Sequence, residues 1–214
     1  LLIVVAAAWN PVMTLIQQQG DSGKPLAEIG APAAEVCQDV TTKDAQGSGE
    51  HVGTGTQVTY EDSPPAFGQH YNVWESIDRK FYSASDRPEL GNLVHNLEHG
   101  YTILWYDESA ADDSSQIAAI KAIAATLDDN DTNGRLKFKA VPWTKEDGKA
   151  FPKGKHIAFT HWRIDKPDPA AAQGQQPTQK QYGAWQYCSE TSGAALKKFM
   201  DKYPFTDAPE PFAM

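Results

Sequence analysis

The sequence predicts an α+β fold: a two-layer domain with a mixed β-sheet and a few helices, preceded by one transmembrane helix at the N-terminus. Candidate elements between residues 101 and 200 follow in the order strand, helix, strand, strand, helix, which is typical of a mixed sheet covered by helices. The 214 residues include 40% hydrophobic and 10% aromatic residues, enough for one buried core. Leu1–Ile16 carries no charged side chain, which predicts a membrane segment before that core.

The uncharged N-terminal segment predicts a membrane anchor over residues 1–19. A spanning helix needs about 20 apolar residues, and the first charged residue is Asp21. Because the chain starts without Met or a basic flank, we expect this anchor to be N-terminally incomplete. It would contact membrane lipid and cross once, with Trp9 and Gln17–Gln19 at the headgroup interface. A signal-peptide segment and a buried core helix are the alternatives.

The chain after the anchor divides into two parts. Residues 20–32 are rich in Gly and Pro and predict a linker, and residues 33–214 form the predicted globular domain. An even number of cysteines behind an export segment favours one disulfide, between Cys37 and Cys188, in an oxidising compartment; two unpaired thiols are the alternative. We therefore expect a single-pass protein of the cell membrane whose globular domain lies on the extracytoplasmic side.

Periodicity predicts the elements of the domain in order. Tyr101–Tyr106 is β-branched and aromatic and predicts a buried strand. Ala111–Leu127 has an apolar stripe at helical spacing and predicts a helix. Leu136–Val141 alternates apolar and other residues, which predicts a strand with one solvated face. Lys155–Arg163 predicts another strand, and Ala194–Met200 predicts the final helix. We expect the first two strands to pair in parallel through a right-handed crossover.

Charge and motifs narrow the function classes. Lys and Arg number 19 against 28 Asp and Glu, a net charge of −9, so we expect no nucleic-acid partner. The sequence contains no G-x-S-x-G elbow and no Walker A motif. We therefore favour a protein that is not an enzyme, with a hydrolase that uses Glu98 as a base beside a metal-bound water as the enzymatic alternative.

Clustered histidines predict a metal site. Four of the six histidines lie between residues 51 and 99. On a helical turn His95 and His99 lie one above the other, able to share an ion with Glu98 adjacent. We predict metal ligands among His70, His95, His99, His51 and Glu98. Imidazole ligands without sulfur favour copper(II) or zinc; histidines satisfied within the core are the alternative.

Two short segments surround these candidates. Pro64–His70 contains a double proline followed by Gly, which predicts a rigid loop that presents His70. The letters around His95 also match H-x-x-E-H, the inverted zincin pattern. That pattern belongs in a long helix, whereas Gly100 here ends the helix and a strand follows, so we do not favour a protease.

The same segments carry a family resemblance. PPAFGQH, Pro64–His70, and LVHNLEHGYTILWY, Leu93–Tyr106, resemble the hallmarks of a bacterial family of membrane-anchored extracytoplasmic domains of unknown function. Those hallmarks are P-P-x-x-G-x-H and L-V-H-x-L-E-H-G, and the likeness extends from about His51 to the closing Glu210–Pro211. The resemblance implies a single-pass, outward-facing and often actinobacterial protein, and it implies no activity.

Two functions follow from the sequence. The first is a metal-binding extracytoplasmic domain for copper or zinc. The second is a non-enzymatic accessory subunit of a larger membrane complex, in which the histidines are structural and Asp165–Lys180 is the candidate docking arm.

Overall fold

Two sheets and five helices make up the fold in a computed structural model that describes residues 21, 23–45, 49–128, 136–165 and 180–212. The strands are β1 (Thr41–Asp44), β2 (His51–Val52), β3 (His70–Tyr71), β4 (Thr102–Tyr106), β5 (Phe138–Pro142), β6 (Ile157–Ile164) and β7 (Gln181–Cys188). The helices are α1 (Ala33–Val36), α2 (Leu90–Glu98), α3 (Glu108–Asp112), α4 (Ser114–Asp128) and α5 (Gly193–Lys202). Short 3-10 helices occur at Leu26–Glu28 and Phe205–Asp207.

The larger sheet is mixed, as predicted. Its five strands lie in the order β1-β7-β6-β4-β5. Strands β4 and β5 are parallel, with Thr102 opposite Phe138, and the other pairs are antiparallel. The α+β class and the parallel pairing of the first two predicted strands are therefore confirmed. Strands β2 and β3 form a separate parallel pair.

Helices cover both faces of the larger sheet, which corrects the predicted two layers. Leu104 and Tyr106 of β4 pack in one core with helices α4 and α5. Their neighbours Ile103 and Trp105 pack in a second core with helix α2. Alternate side chains of a strand point to opposite faces, and here both faces are apolar. Helix α2 therefore packs on the face of the sheet opposite to helices α4 and α5.

The predicted helix over residues 111–127 is interrupted. Helix α3 ends at Asp112, and α4 begins at Ser114. Asp113 between them has an extended conformation, φ −89° and ψ 108°. Its Oδ1 accepts hydrogen bonds from the backbone nitrogens of Ser115 and Gln116. This capping satisfies amide donors at the start of the second helix.

Strand β5 lacks the solvated face that its alternation predicted. All five of its residues are buried. The Lys139 ammonium donates to the backbone oxygens of Ser76 (2.6 Å) and Arg79 (3.0 Å), in the segment that covers this strand. Burial lowers the pKa of Lys139 to about 7. A long lysine side chain can reach across an apolar layer to carbonyl acceptors. The alternation of lysine with apolar residues therefore did not indicate a solvent-exposed face of this strand.

We expect Lys139 to make stability rise with pH. Its unfolded pKa is near 10.5, above the folded value of about 7. Between these values the unfolded chain holds more protons, so raising the pH from 7 to 9 adds about 2 kcal/mol to the free energy of unfolding. Lys137, whose pKa burial lowers to about 8, adds in the same direction. Urea unfolding at both pH values measures the increase. In Lys139→Met most of this increase in the free energy of unfolding should disappear. If the variant gains as much stability between pH 7 and pH 9 as the unaltered protein, Lys139 is not its source.

The N-terminal part of the described chain is tied to the domain. Cys37 and Cys188 form the predicted disulfide. Within the segment predicted as a linker, Ile29 is buried and its oxygen accepts from the Gly193 nitrogen at 2.9 Å. The division at residue 33 stays a prediction. Within the described ranges no helix is long and apolar enough to cross a membrane. The predicted anchor, and residues 166–179 of the predicted docking arm, lie outside those ranges.

Candidate metal centre

The candidate centre lies where the last turn of helix α2 meets the β2–β3 pair. Parallel pairing places His51 directly beside His70. Helix α2 supplies His95 and Glu98, because the packing of its apolar face against the second core directs its other side chains toward this pair. The His70 ring lies 4.6 Å from that of His51 and 5.0 Å from that of His95. Three separate parts of the chain therefore contribute one imidazole each.

Four of the predicted residues come together as a possible ligand set. One ligand atom each of His51, His70, His95 and Glu98 lies within 4.8 Å of all the others. The Glu98 Oε2 atom is 3.0 Å from His70 Nε2 and 3.4 Å from His51 Nε2. His70, His95 and Glu98 are buried, whereas 38% of the His51 side chain is exposed. The group can therefore hold a metal ion and is reached from solvent on the His51 side.

Backbone carbonyls orient two of the buried imidazoles. His70 donates from Nδ1 to the Gly68 oxygen at 2.7 Å, and His95 donates from Nδ1 to the Tyr71 oxygen. A carbonyl oxygen only accepts, so Nδ1 carries the proton and the Nε2 of the neutral ring carries the lone pair. Metal-ligating histidines are held in this way by their second nitrogen. The rigid loop predicted before His70 thus supplies its orienting carbonyl.

The centre holds a buried negative charge. Burial opposes ionisation of Glu98, but the hydrogen bond with His70 and the nearby charges of His70 and His51 outweigh it and hold the pKa of Glu98 below its ordinary value. This hydrogen bond needs a proton on His70 Nε2, 3.0 Å from the carboxylate, because the Nδ1 proton is already donated to Gly68. A metal ion could take the place of that proton.

Burial also keeps two imidazoles uncharged. It lowers the pKa of His95 below the ordinary value, and it lowers the pKa of His99 to about 4. Desolvation disfavours the charged form of a base. Both rings are therefore neutral near pH 7, the state in which imidazole binds a metal.

His99 lies outside the group of four. Its ring is 4.4 Å from that of His95, and its Nδ1 donates to the Glu210 oxygen at 3.1 Å. Ligand atoms of Glu98, His99 and Glu210 form a second set within 4.8 Å. Sequence reasoning placed Glu210 within the family resemblance but not among the ligands. It also missed Trp74, whose ring lies 5.2 Å from that of His95 and 5.3 Å from that of His99.

The C-terminal segment closes this side of the centre. Gly100 has φ +88°, and a Cβ there would lie 2.4 Å from the Phe205 oxygen. The buried Lys137 ammonium donates to the His99 and Pro211 oxygens, each at 2.8 Å. The glycine of the L-E-H-G motif therefore permits both the helix end and the close approach of the segment that carries Glu210.

The two remaining histidines lie apart from the centre. His161 is buried and bonds through Nδ1 to the Tyr101 oxygen and through Nε2 to Asp207. His156 is partly exposed and bonds to Asp107. Both have acceptor partners of their own, so neither belongs to the possible ligand sets of the described residues.

Comparison with known protein families finds a match. A family described as "Protein of unknown function (DUF3105)" matches residues 51–213, a range that contains both sets of possible ligands. No curated protein and no solved structure matches the chain.

Proposed function

The chain belongs to the DUF3105 family, whose function is unknown, and from its geometry we propose that it binds a divalent transition-metal ion. The observation that carries this proposal is the convergence of two buried, carbonyl-oriented imidazoles, His70 and His95, on the buried carboxylate of Glu98. His51 completes the set from the exposed side. Imidazole nitrogens beside an ionised carboxylate supply lone pairs and one compensating charge.

The donor atoms favour zinc or copper(II). Nitrogen ligands with one carboxylate suit both metals, whereas soft sulfur ligands select copper(I). Both cysteines of the chain are used in the disulfide, so thiolate is not available to this centre. Copper and zinc are therefore the two metals to test.

We place the domain on the extracytoplasmic side of a membrane, anchored by the N-terminal segment. The Cys37–Cys188 disulfide supports an oxidising compartment. The uncharged Leu1–Ile16 supports the anchor.

An accessory subunit of a membrane complex is the second candidate. Large hydrophobic side chains are exposed at Val73, Trp74 and Phe212 in the described part of the chain, the last to 69%. Val73 and Trp74 are adjacent in the chain, and contiguous exposed apolar groups mark contact sites. Co-purification of a partner in mild detergent would support this role, and a protein that is always isolated alone would contradict it.

Metal uptake tests the main proposal. Untagged protein, stripped with chelator and dialysed against Zn²⁺ or Cu²⁺, should retain at least one equivalent by plasma mass spectrometry. A variant with His70→Gln and His95→Gln should lose it. His156→Gln is the matched control, because it removes a histidine outside the centre. The absence of uptake in the unaltered protein contradicts the proposal.

We expect copper(II) to quench the fluorescence of Trp74. This indole is 38% exposed and lies against His95 and His99, so an open-shell ion held by His95 is within range for quenching. Zinc(II), a closed-shell ion, should cause little quenching. Trp162, whose ring lies 5.8 Å from that of His70, should be quenched as well. The variant with His70→Gln and His95→Gln should lose most of the copper effect. Equal quenching in that variant means that copper binds elsewhere.

A further inference from the structure

The second possible ligand set contains an unsatisfied buried nitrogen. Among the described residues the His99 Nε2 atom is buried and has no hydrogen-bond partner. Its Nδ1 donates to the Glu210 oxygen, so the Nε2 of the neutral ring carries a lone pair. A buried polar atom without a partner destabilises the fold, and a metal ion would satisfy it.

Glu98 belongs to both possible ligand sets. It groups with His51, His70 and His95 on one side and with His99 and Glu210 on the other. The rings of His95 and His99, one helical turn apart, lie 4.4 Å from each other. A carboxylate has two oxygens, and paired metal sites place ions about 3.5–4 Å apart. One glutamate that belongs to both sets can therefore serve two ions.

We propose that Glu98 bridges two adjacent metal positions, the first with His51, His70 and His95 and the second with His99 and Glu210. This inference rests on the proposed function and extends it from one ion to two. Solvent reaches the second position on the Glu210 side, because 45% of that side chain is exposed, against 3% of that of His99.

The backbone holds the second position in place. The Glu210 nitrogen donates to the Glu98 oxygen at 2.9 Å, and the His99 Nδ1 returns a bond to the Glu210 oxygen at 3.1 Å. The Lys137 ammonium donates to the backbone oxygens of both His99 and Pro211 and so links the two segments. These bonds fix the main chain on both sides of Glu210, whose carboxylate lies 3.9 Å from His99 Nδ1. The backbone therefore holds Glu210 beside His99.

The stoichiometry of zinc tests the bridge. Equilibrium dialysis of the full chain against Zn²⁺ alone should give two equivalents. His99→Gln and Glu210→Gln should each give one, with the affinity of the remaining ion changed by less than about tenfold. Gln keeps a donor for the Glu210 oxygen in the first variant, so the fold should persist, which circular dichroism checks. Glu190→Gln, at an exposed position, and His156→Gln are controls that should keep two.

The outcomes separate the two proposals. Two equivalents that fall to one in both variants support the bridge. One equivalent in the unaltered protein, unaffected by either variant, overturns the bridge and leaves the proposed function standing. Two equivalents in every variant also overturn it, because the second ion then lies elsewhere. No zinc in the unaltered protein overturns both.

Discussion

Replacing Glu98 by Gln should abolish tight metal binding while the fold survives. Gln has the shape of Glu but lacks the charge, so it removes the only carboxylate shared by the two possible ligand sets of the described residues. Loss of a charged ligand should weaken zinc binding by at least about 100-fold, or about 2.7 kcal/mol. Calorimetric titration of the chelator-stripped protein measures this change. Glu190→Gln, which removes an exposed carboxylate, should bind zinc like the unaltered protein.

The same variant should unfold at nearly the same urea concentration. The amide nitrogen of the substituted side chain can donate to His70 Nε2, so the buried imidazole keeps a partner at the place where Glu98 stands at 3.0 Å. Removing the buried charge also ends the cost of desolvating it. We therefore expect a change in the free energy of unfolding within about 1 kcal/mol. Zinc affinity that is unaltered in a folded variant would contradict the role given to Glu98.

Gly100→Ala should destabilise the protein by roughly 3 kcal/mol. The position has φ +88°, and its new Cβ would meet the Phe205 oxygen at 2.4 Å. A left-handed conformation costs a residue with a side chain about 1–2 kcal/mol, and displacing the backbone of Phe205 costs the rest. Urea unfolding measures the loss. Because the displaced segment carries Glu210, the substitution should also weaken the binding of any ion held by His99.

Gly154→Ala is the matched control for this substitution. It has a similar φ of +72°, but nothing lies within 4 Å of its Cβ position. It should therefore show the conformational cost alone, about 1 kcal/mol. If both variants lose the same stability, the close approach of Phe205 is not what requires glycine at position 100.

Local pattern predicted strands β4, β5 and β6 and the final helix, missed strands β1 and β7, and failed where distant segments decide burial. The buried strand β4 and its parallel partner follow from composition and spacing, whereas the helix that carries His95 was expected only as a helical turn. Strand β5 was misjudged, because the carbonyls that receive Lys139 belong to residues 76 and 79. Periodicity within a strand contains no information about such a cover.

The candidate centre was predictable only where its residues are close in the sequence. His95 and Glu98 share one helical turn, so their proximity follows from spacing. The pairing of His51 with His70 is set by a two-stranded parallel sheet whose strands are too short to be recognised in the sequence. Glu210 reaches the centre only because the C-terminal segment folds back over Gly100. The position of Glu210 beside His99 depends on this contact between distant parts of the chain, which the sequence pattern does not contain.

A crystal grown with Zn²⁺ and measured at the zinc absorption edge would locate a bound ion directly. We expect an anomalous peak about 2.0–2.2 Å from His70 Nε2, His95 Nε2 and a Glu98 oxygen. Peaks only at surface residues, or an empty centre in crystals that hold zinc elsewhere, would contradict the claim that these side chains form a metal site.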